Sequence, residues 1–216
     1  MNLYFVSGLG ADKRMFQKLK LGDEWMIHHV EWVAVRDDES LETYCHRLSE
    51  QIDRTKPFIL IGLSFGGIVA IQLAKLFSPV QTVIISSFCF KKEVSNFYIL
   101  LCKTRIFKLL PVRFFLKPNK IIFRMFGANS ADEKDLLTQI LLDTDAKFFR
   151  WAIYQLFSWE YEWIPVSFLH IHGTADKILH YRSNMAAIPV EGGEHLMVYS
   201  RAGEVSRILN DHLLKR

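Results

Sequence analysis

Cysteine is scarce in this 216-residue chain: Cys45, Cys89 and Cys102 are odd in number and show no C-x-x-C spacing. Neither a disulfide framework nor a zinc knuckle is expected, and a reducing, cytoplasmic setting is the simpler reading. Eleven Gly and six Pro are too few for a collagen-like or low-complexity chain, and neither an internal repeat nor a linker is evident. The N-terminal run Leu3–Val6 has no basic lead and is too short for a signal peptide. One stretch without charge, Pro57–Ala74, is long enough to suggest a membrane span. Its middle, Gly62-Leu63-Ser64-Phe65-Gly66-Gly67, would make a poor helix interior. It reads instead as a buried strand, a sharp turn and a buried helix. HExxH, RNA-recognition and helix-turn-helix patterns are all missing, so the sequence gives no support for a metalloprotease or for a nucleic-acid partner.

What the chain has in quantity is apolar residue, half of the total, with aromatics at 13% including 17 Phe. That suits one domain with a large core. Short apolar runs fit for buried strands recur at Leu3–Val6, Met26–Val30, Phe58–Ile61, Val80–Ser86, Val166–Ile171 and Ile188–Val190. Between them Lys13–Lys20, a segment N-capped by Ser40 with Leu41, Tyr44, Leu48 and Ile52 on one face, Ile68–Phe77 and Val198–Leu214 have helical spacing. Strands alternating with helices predict an α/β fold, a mostly parallel sheet covered on both faces.

The alternation stops over residues 88–163, which read as a helical insertion, leaving 1–87 and 164–216 as the core of a single domain. Lys91–Arg124 holds nine Lys and Arg against one acidic residue, while the whole chain carries only +4. The basic character therefore belongs to the insertion, and the rest of the chain is slightly acidic. There Phe97, Tyr98, Phe107, Phe114, Phe115, Phe123 and Phe126 interleave with Lys103, Arg105, Lys108, Arg113, Lys117, Lys120 and Arg124. Such a pattern would serve an anionic membrane surface. It also serves a cap whose aromatics roof an apolar pocket and whose cations face water, and that second reading is favoured.

The chemistry-bearing motif is Gly62-Leu63-Ser64-Phe65-Gly66, set between an apolar strand and a helix. A serine at the apex of so tight a turn projects its hydroxyl from the sheet edge, and glycines two positions away let strand and helix pass closely. The helix start offers backbone N–H groups to developing negative charge. A serine nucleophile needs a base and the base an orienting acid. Asp176, in His172-Gly173-Thr174-Ala175-Asp176, follows one strand, and His195, in Gly192-Gly193-Glu194-His195, follows the next. Asp143, Asp145, Glu191 and Glu194 compete for the acid, but only Asp176 combines a strand-end loop with a position between serine and histidine in the chain.

With these residues the chain resembles a small member of the α/β-hydrolase superfamily over nearly its whole length apart from the insertion. The resemblance implies a Ser64–His195–Asp176 triad in that family's chain order and an oxyanion hole from the backbone N–H groups of Leu9 and Phe65. It gives His172 a structural part and needs no metal or organic cofactor. The loop Ser7-Gly8-Leu9-Gly10 carries Ser7 where many members have histidine. The first strand resembles the family's third, so a sheet of about six strands is expected.

Other classes were weighed against this one. Gly8-Leu9-Gly10-Ala11-Asp12-Lys13 with Glu31 approximates a dinucleotide fingerprint, but its third glycine is Lys13. His170 and His172 share a strand face without a carboxylate pattern that would make them metal ligands. His28, His29, His46, His180 and His212 have no motif context. A vestigial, non-catalytic pocket and a carbon–carbon bond hydrolase or lyase are the alternatives on the same fold. The expected activity is hydrolysis of an ester or thioester of a small, largely apolar acyl compound, with that small molecule as the partner.

Overall fold

The computed structural model describes residues 1–89, 112–159, 163–182 and 186–214. Six strands appear where apolar runs predict them: β1 (Asn2–Val6), β2 (Met26–Val30), β3 (Phe58–Leu63), β4 (Gln81–Ile85), β5 (Phe168–Gly173) and β6 (Ile188–Val190). They form one all-parallel sheet in the order β2-β1-β3-β4-β5-β6. The uninterrupted apolar runs have a simple cause, since both faces of the sheet are buried. Leu3, Phe5, Ile59, Ile61, Val83 and Ile85 enter one core, whereas Tyr4, Val6, Phe58, Leu60 and Ile84 enter the other. This is the period-two alternation of a pleated strand.

Helices α1 (Leu41–Leu48) and α2 (Phe65–Phe77) cover the second core. Ser40 caps α1 by accepting from the Thr43 amide. Between β4 and β5 come α3 (Val112–Phe115), α4 (Lys120–Phe126), α5 (Ala131–Asp143) and α6 (Ala146–Ser158), with no strand among the described residues of that interval. After β6 the chain ends in α7 (Met197–Ser200) and α8 (Ala202–His212), whose apolar faces join the first core. No helix among the described residues is long and apolar enough to cross a membrane.

Three predicted helices have different limits. The segment Lys13–Lys20 forms a single 3₁₀ turn, Lys13–Phe16, because α8 takes over the amides that follow: Lys20 N–H donates to Ser206 Oγ and Gly22 N–H to Asn210 Oδ1. Ile68–Phe77 begins earlier, at Phe65, since the turn at Ser64 leaves no room for a longer connection. Val198–Leu214 divides at Arg201 into α7 and α8. Of the aromatic and basic side chains expected in the insertion, those of Phe97, Tyr98, Lys103, Arg105, Phe107, Lys108, Arg113 and Phe114 lie outside what the structure describes, as does Cys102.

The insertion helices are tied down on several sides. Asn119, Ser130 and Asp145 cap α4, α5 and α6, and Ser130 with Glu133 makes a full capping box. Arg14 pairs with Asp143 at 2.7 Å, Tyr199 Oη donates to Asp132 at 2.7 Å, and Trp151 Nε1 donates to the Glu39 carbonyl at 2.7 Å. Winding reverses at β1, with β2 on one side and β3 on the other. The loops after β1 and β3 therefore diverge and leave a crevice at the carboxyl ends of the strands.

Candidate active site

That crevice holds Ser64. Its backbone stands at φ 52°, ψ −120°, a left-handed conformation that side-chain-bearing residues rarely adopt. The geometry survives because its neighbours over-determine it. Ser64 N–H donates to the Ile85 carbonyl at 2.9 Å, and its own carbonyl accepts from Gly67 N–H at 2.8 Å and from Ser87 Oγ at 2.8 Å. A Cβ on Gly62 would run into the Gly66 backbone, and one on Gly66 into the carbonyls of Val6 and Ser7. Strand, turn and helix are in backbone contact, and only glycine fits at either place.

His195 follows β6 in the loop that leads into α7, and its Nε2 lies 3.0 Å from Ser64 Oγ. Its Nδ1 lies 2.7 Å from Asp176 Oδ2. With Nδ1 donating to the carboxylate, Nε2 is left to accept the serine proton. Asp176 Oδ1 accepts from the amides of Ile178 and Leu179 at 2.8 and 2.9 Å. Burial alone would raise this carboxyl group, but His195, the Leu179 amide and His172 outweigh burial and hold it below the ordinary carboxylate range. The structure thus brings together the three side chains that the motifs single out. Asp143, Asp145 and Glu191 are not hydrogen-bonded to His195, and Glu194 turns away to meet Lys177 and Asn129.

Leu9 and Phe65 flank Ser64 on the wall of a cavity of about 200 Å³. Ser7 does not point into it; its hydroxyl bonds the Ala11 carbonyl and closes the loop after β1. The other walls are apolar: Met15 and Leu63 from the core, Ile122, Phe126, Leu137, Ile140, Leu141, Ile153 and Leu156 from the insertion. Besides Ser64 and His195, the polar side chain on the wall is Thr144, which bonds the carbonyls of Ile140 and Gly10. Among the described residues no charged side chain lines the space, apart from any charge His195 takes up.

Phe126 was expected among the aromatics over a pocket, but neither its contact with His195 nor the places of Ser87 and His170 were foreseen. Phe126 packs edge-on against the His195 ring at 5.5 Å, and its carbonyl accepts from Leu196 N–H at 2.9 Å. Ser87 and His170 lie beneath the site. The only sequence signal for that pair was the His170/His172 spacing, and the two rings bond each other at 3.1 Å. Among the described residues no group of three or more His, Cys, Asp or Glu is placed to hold a metal ion.

Three solved structures share the architecture at low identity. An esterase from Thermogutta terrifontis aligns with TM-score 0.72 and 14% identity over 98% of this chain and 88% of that one. A lipase-esterase related protein from Clostridium acetobutylicum aligns with TM-score 0.71 and 14% identity over 98% and 94% of the two chains. A bromoperoxidase from Bacillus anthracis gives TM-score 0.69 and 15% identity over 98% and 91%. Likeness at this level speaks for fold and not for substrate. No curated protein matches the chain in sequence. The model of the alpha/beta hydrolase family, however, matches residues 3–208. With that match over nearly the whole length, on a six-stranded parallel sheet of the corresponding architecture, the chain belongs to the alpha/beta hydrolase family.

Proposed function

We propose that the protein is a serine hydrolase that cleaves an ester or thioester of a small, largely apolar acyl compound. One observation carries this reading: the hydrogen-bonded line Ser64 Oγ–His195 Nε2, His195 Nδ1–Asp176 Oδ2 opens on an apolar cavity. Esterase, lipase and bromoperoxidase neighbours on the same fold are consistent with it and leave the substrate open.

In this mechanism His195 takes the Ser64 proton as the hydroxyl attacks the acyl carbon. Asp176 keeps the imidazole in the tautomer with Nε2 free and stabilises its cationic form. The backbone N–H groups of Leu9 and Phe65 receive the oxyanion, the second helped by the amino end of α2. Protonated His195 then hands its proton to the departing alcohol or thiol. Water, deprotonated by His195, attacks the acyl-serine, and His195 returns that proton to Ser64 Oγ as the acyl–oxygen bond breaks and the acid leaves. Each step uses side chains and amides of this chain, and the insertion helices α4–α6 that line the cavity act as the cap that shields the acyl group from bulk water.

Labelling with a serine-reactive fluorophosphonate, mapped by mass spectrometry, tests the reading. Modification at Ser64 is expected, and Ser64→Ala should lower kcat by about four to six orders of magnitude. Folded protein that resists the reagent and hydrolyses no ester or thioester would instead indicate a binding protein with a vestigial site.

A further inference from the structure

Behind the proposed triad runs a second hydrogen-bonded path that connects its two ends. His172 Nε2 lies 2.6 Å from the Leu179 carbonyl, so that nitrogen carries the proton and donates it. Nδ1 of His172 is then an acceptor, and it sits 3.1 Å from Nε2 of His170. His170 Nε2–H must therefore be the donor, shared with the Ser87 carbonyl at 3.1 Å. Ser87 in turn donates its hydroxyl to the carbonyl of Ser64. On the other side Leu179 gives its amide to Asp176 Oδ1. The path Ser64–Ser87–His170–His172–Leu179–Asp176–His195 thus returns to Ser64. Ser87, His170 and His172 are all at most 2% exposed, which removes water as a competing partner.

His172 Nε2 is 3.6 Å from Asp176 Oδ2. Its nearer partner is the Leu179 carbonyl, and at the longer distance the ring still helps to hold Asp176 below the ordinary carboxylate range. Burial and the neighbouring His172 push the His170 ring down to about 3, so that ring is neutral.

We infer that Ser87, His170 and His172 are positioning residues that lock the nucleophile turn to the acid loop. They fix the separation of Ser64 and Asp176, and with it the seat of His195 between them. The inference rests on the serine-hydrolase reading above and goes beyond it, because none of the three touches substrate. Their action is on geometry alone: Ser87 braces the strained turn from below, and His172 braces Leu179, whose amide aims the carboxylate.

The test compares His170→Leu, which deletes the donor, with His170→Gln, which keeps an N–H donor of similar reach, and with Ser87→Ala. The readouts are the fluorophosphonate inactivation rate at Ser64 and the kcat and KM for p-nitrophenyl butyrate, alongside circular dichroism. His170→Leu should lower kcat and the inactivation rate about tenfold to a hundredfold with KM within about twofold, and His170→Gln should restore most of the loss. Ser87→Ala should produce a similar kcat loss, and in the double variant with His170→Leu the losses should not add, as expected for one path. Equal losses for Leu and Gln, additive losses, or a change confined to KM would overturn the inference. If His170→Leu fails to fold, Ser87→Ala and His170→Gln decide alone: wild-type rates in the first would overturn it. Wild-type protein that is never labelled at Ser64 would sink the hydrolase reading, whereas labelling with indifferent variants would sink only this one.

Discussion

Ser64 combines the proposed nucleophilic hydroxyl with a conformation that costs free energy, and the two can be separated by substitution. At φ 52° alanine retains the strain and loses the hydroxyl, whereas glycine loses both. Both variants should be inactive, but Ser64→Gly should melt higher than Ser64→Ala by about 2–4 °C, the shift of about 1 kcal/mol in a domain of this size. Equal melting temperatures would mean that the turn holds no strain. The buried histidines make a second prediction with a definite sign. His170 in the unfolded chain protonates near its ordinary value of 6.5, but in the fold only near 3. Between those values the unfolded state binds the extra proton. Its contribution is thus full above pH 6.5 and declines as pH falls toward 3, approaching about 1 kcal/mol per pH unit. His29, also lowered by burial, acts in the same direction. Asp176, held below the ordinary carboxylate range, keeps its contribution until more acid pH. Urea unfolding at pH 7 and pH 5 should therefore show a smaller loss of stability in His170→Gln than in the wild type. An identical loss would mean that His170 is not the proton-linked group.

The insertion helices act as elements whose ends are fixed so that their faces can line a site. In α5, Ser130 and Glu133 satisfy both sides of a capping box, and Leu137, Ile140 and Leu141 reach the cavity one to three turns later. Removing the cap with Ser130→Ala should cost about 1 kcal/mol, or about 2–4 °C in melting temperature. Because α5 lines the cavity without touching the three hydrogen-bonded side chains, KM should rise more than kcat falls in ester hydrolysis. A kcat loss at constant KM would mean that α5 supports the reacting groups. The strands were the most legible elements in the sequence. Parallel strands buried on both faces leave runs such as Phe58-Ile59-Leu60-Ile61, which admit few other readings. Ser64, Asp176 and His195 were legible for a related reason, since each follows such a strand. Helix limits were harder, because partners distant in sequence set them. Ser206 and Asn210 cut short the segment after Lys13, and no local pattern reveals that. Ser87 and Thr144 escaped notice in the same way: a lone Ser or Thr means little until the fold brings it beside His170 or Gly10.

At the scale of the whole molecule, sheet and insertion together line the cavity beside Ser64, which on the proposed function holds the acyl group. A cavity of about 150 Å³ with Leu, Ile and Phe walls holds benzene, so one of about 200 Å³ has room for about eight carbon atoms. The closed part of its wall comes from buried Met15, Leu137, Ile140 and Leu141, while Phe115 and Met125 are 38% exposed at its rim. A chain entering at the rim and reaching Ser64 meets apolar surface that rewards each added methylene until the buried wall is reached. Beyond that wall, further carbons must displace side chains from a close-packed core, which costs more than burial returns. In a series of p-nitrophenyl esters, kcat/KM should thus rise from acetyl, peak at acyl chains of about four to eight carbons and fall by twelve. Ile140→Trp fills the closed end and should move the peak toward shorter chains, and Leu137→Ala should move it toward longer ones. Both substitutions leave Ser64, His195 and Asp176 untouched, so labelling of Ser64 by a small fluorophosphonate should persist in each. A peak that stays in place in both variants, with Ser64 still labelled, would mean that the acyl group binds elsewhere on the molecule. The buried end of this cavity would then be packing space between insertion and sheet, and chain-length selection would have to arise at the rim.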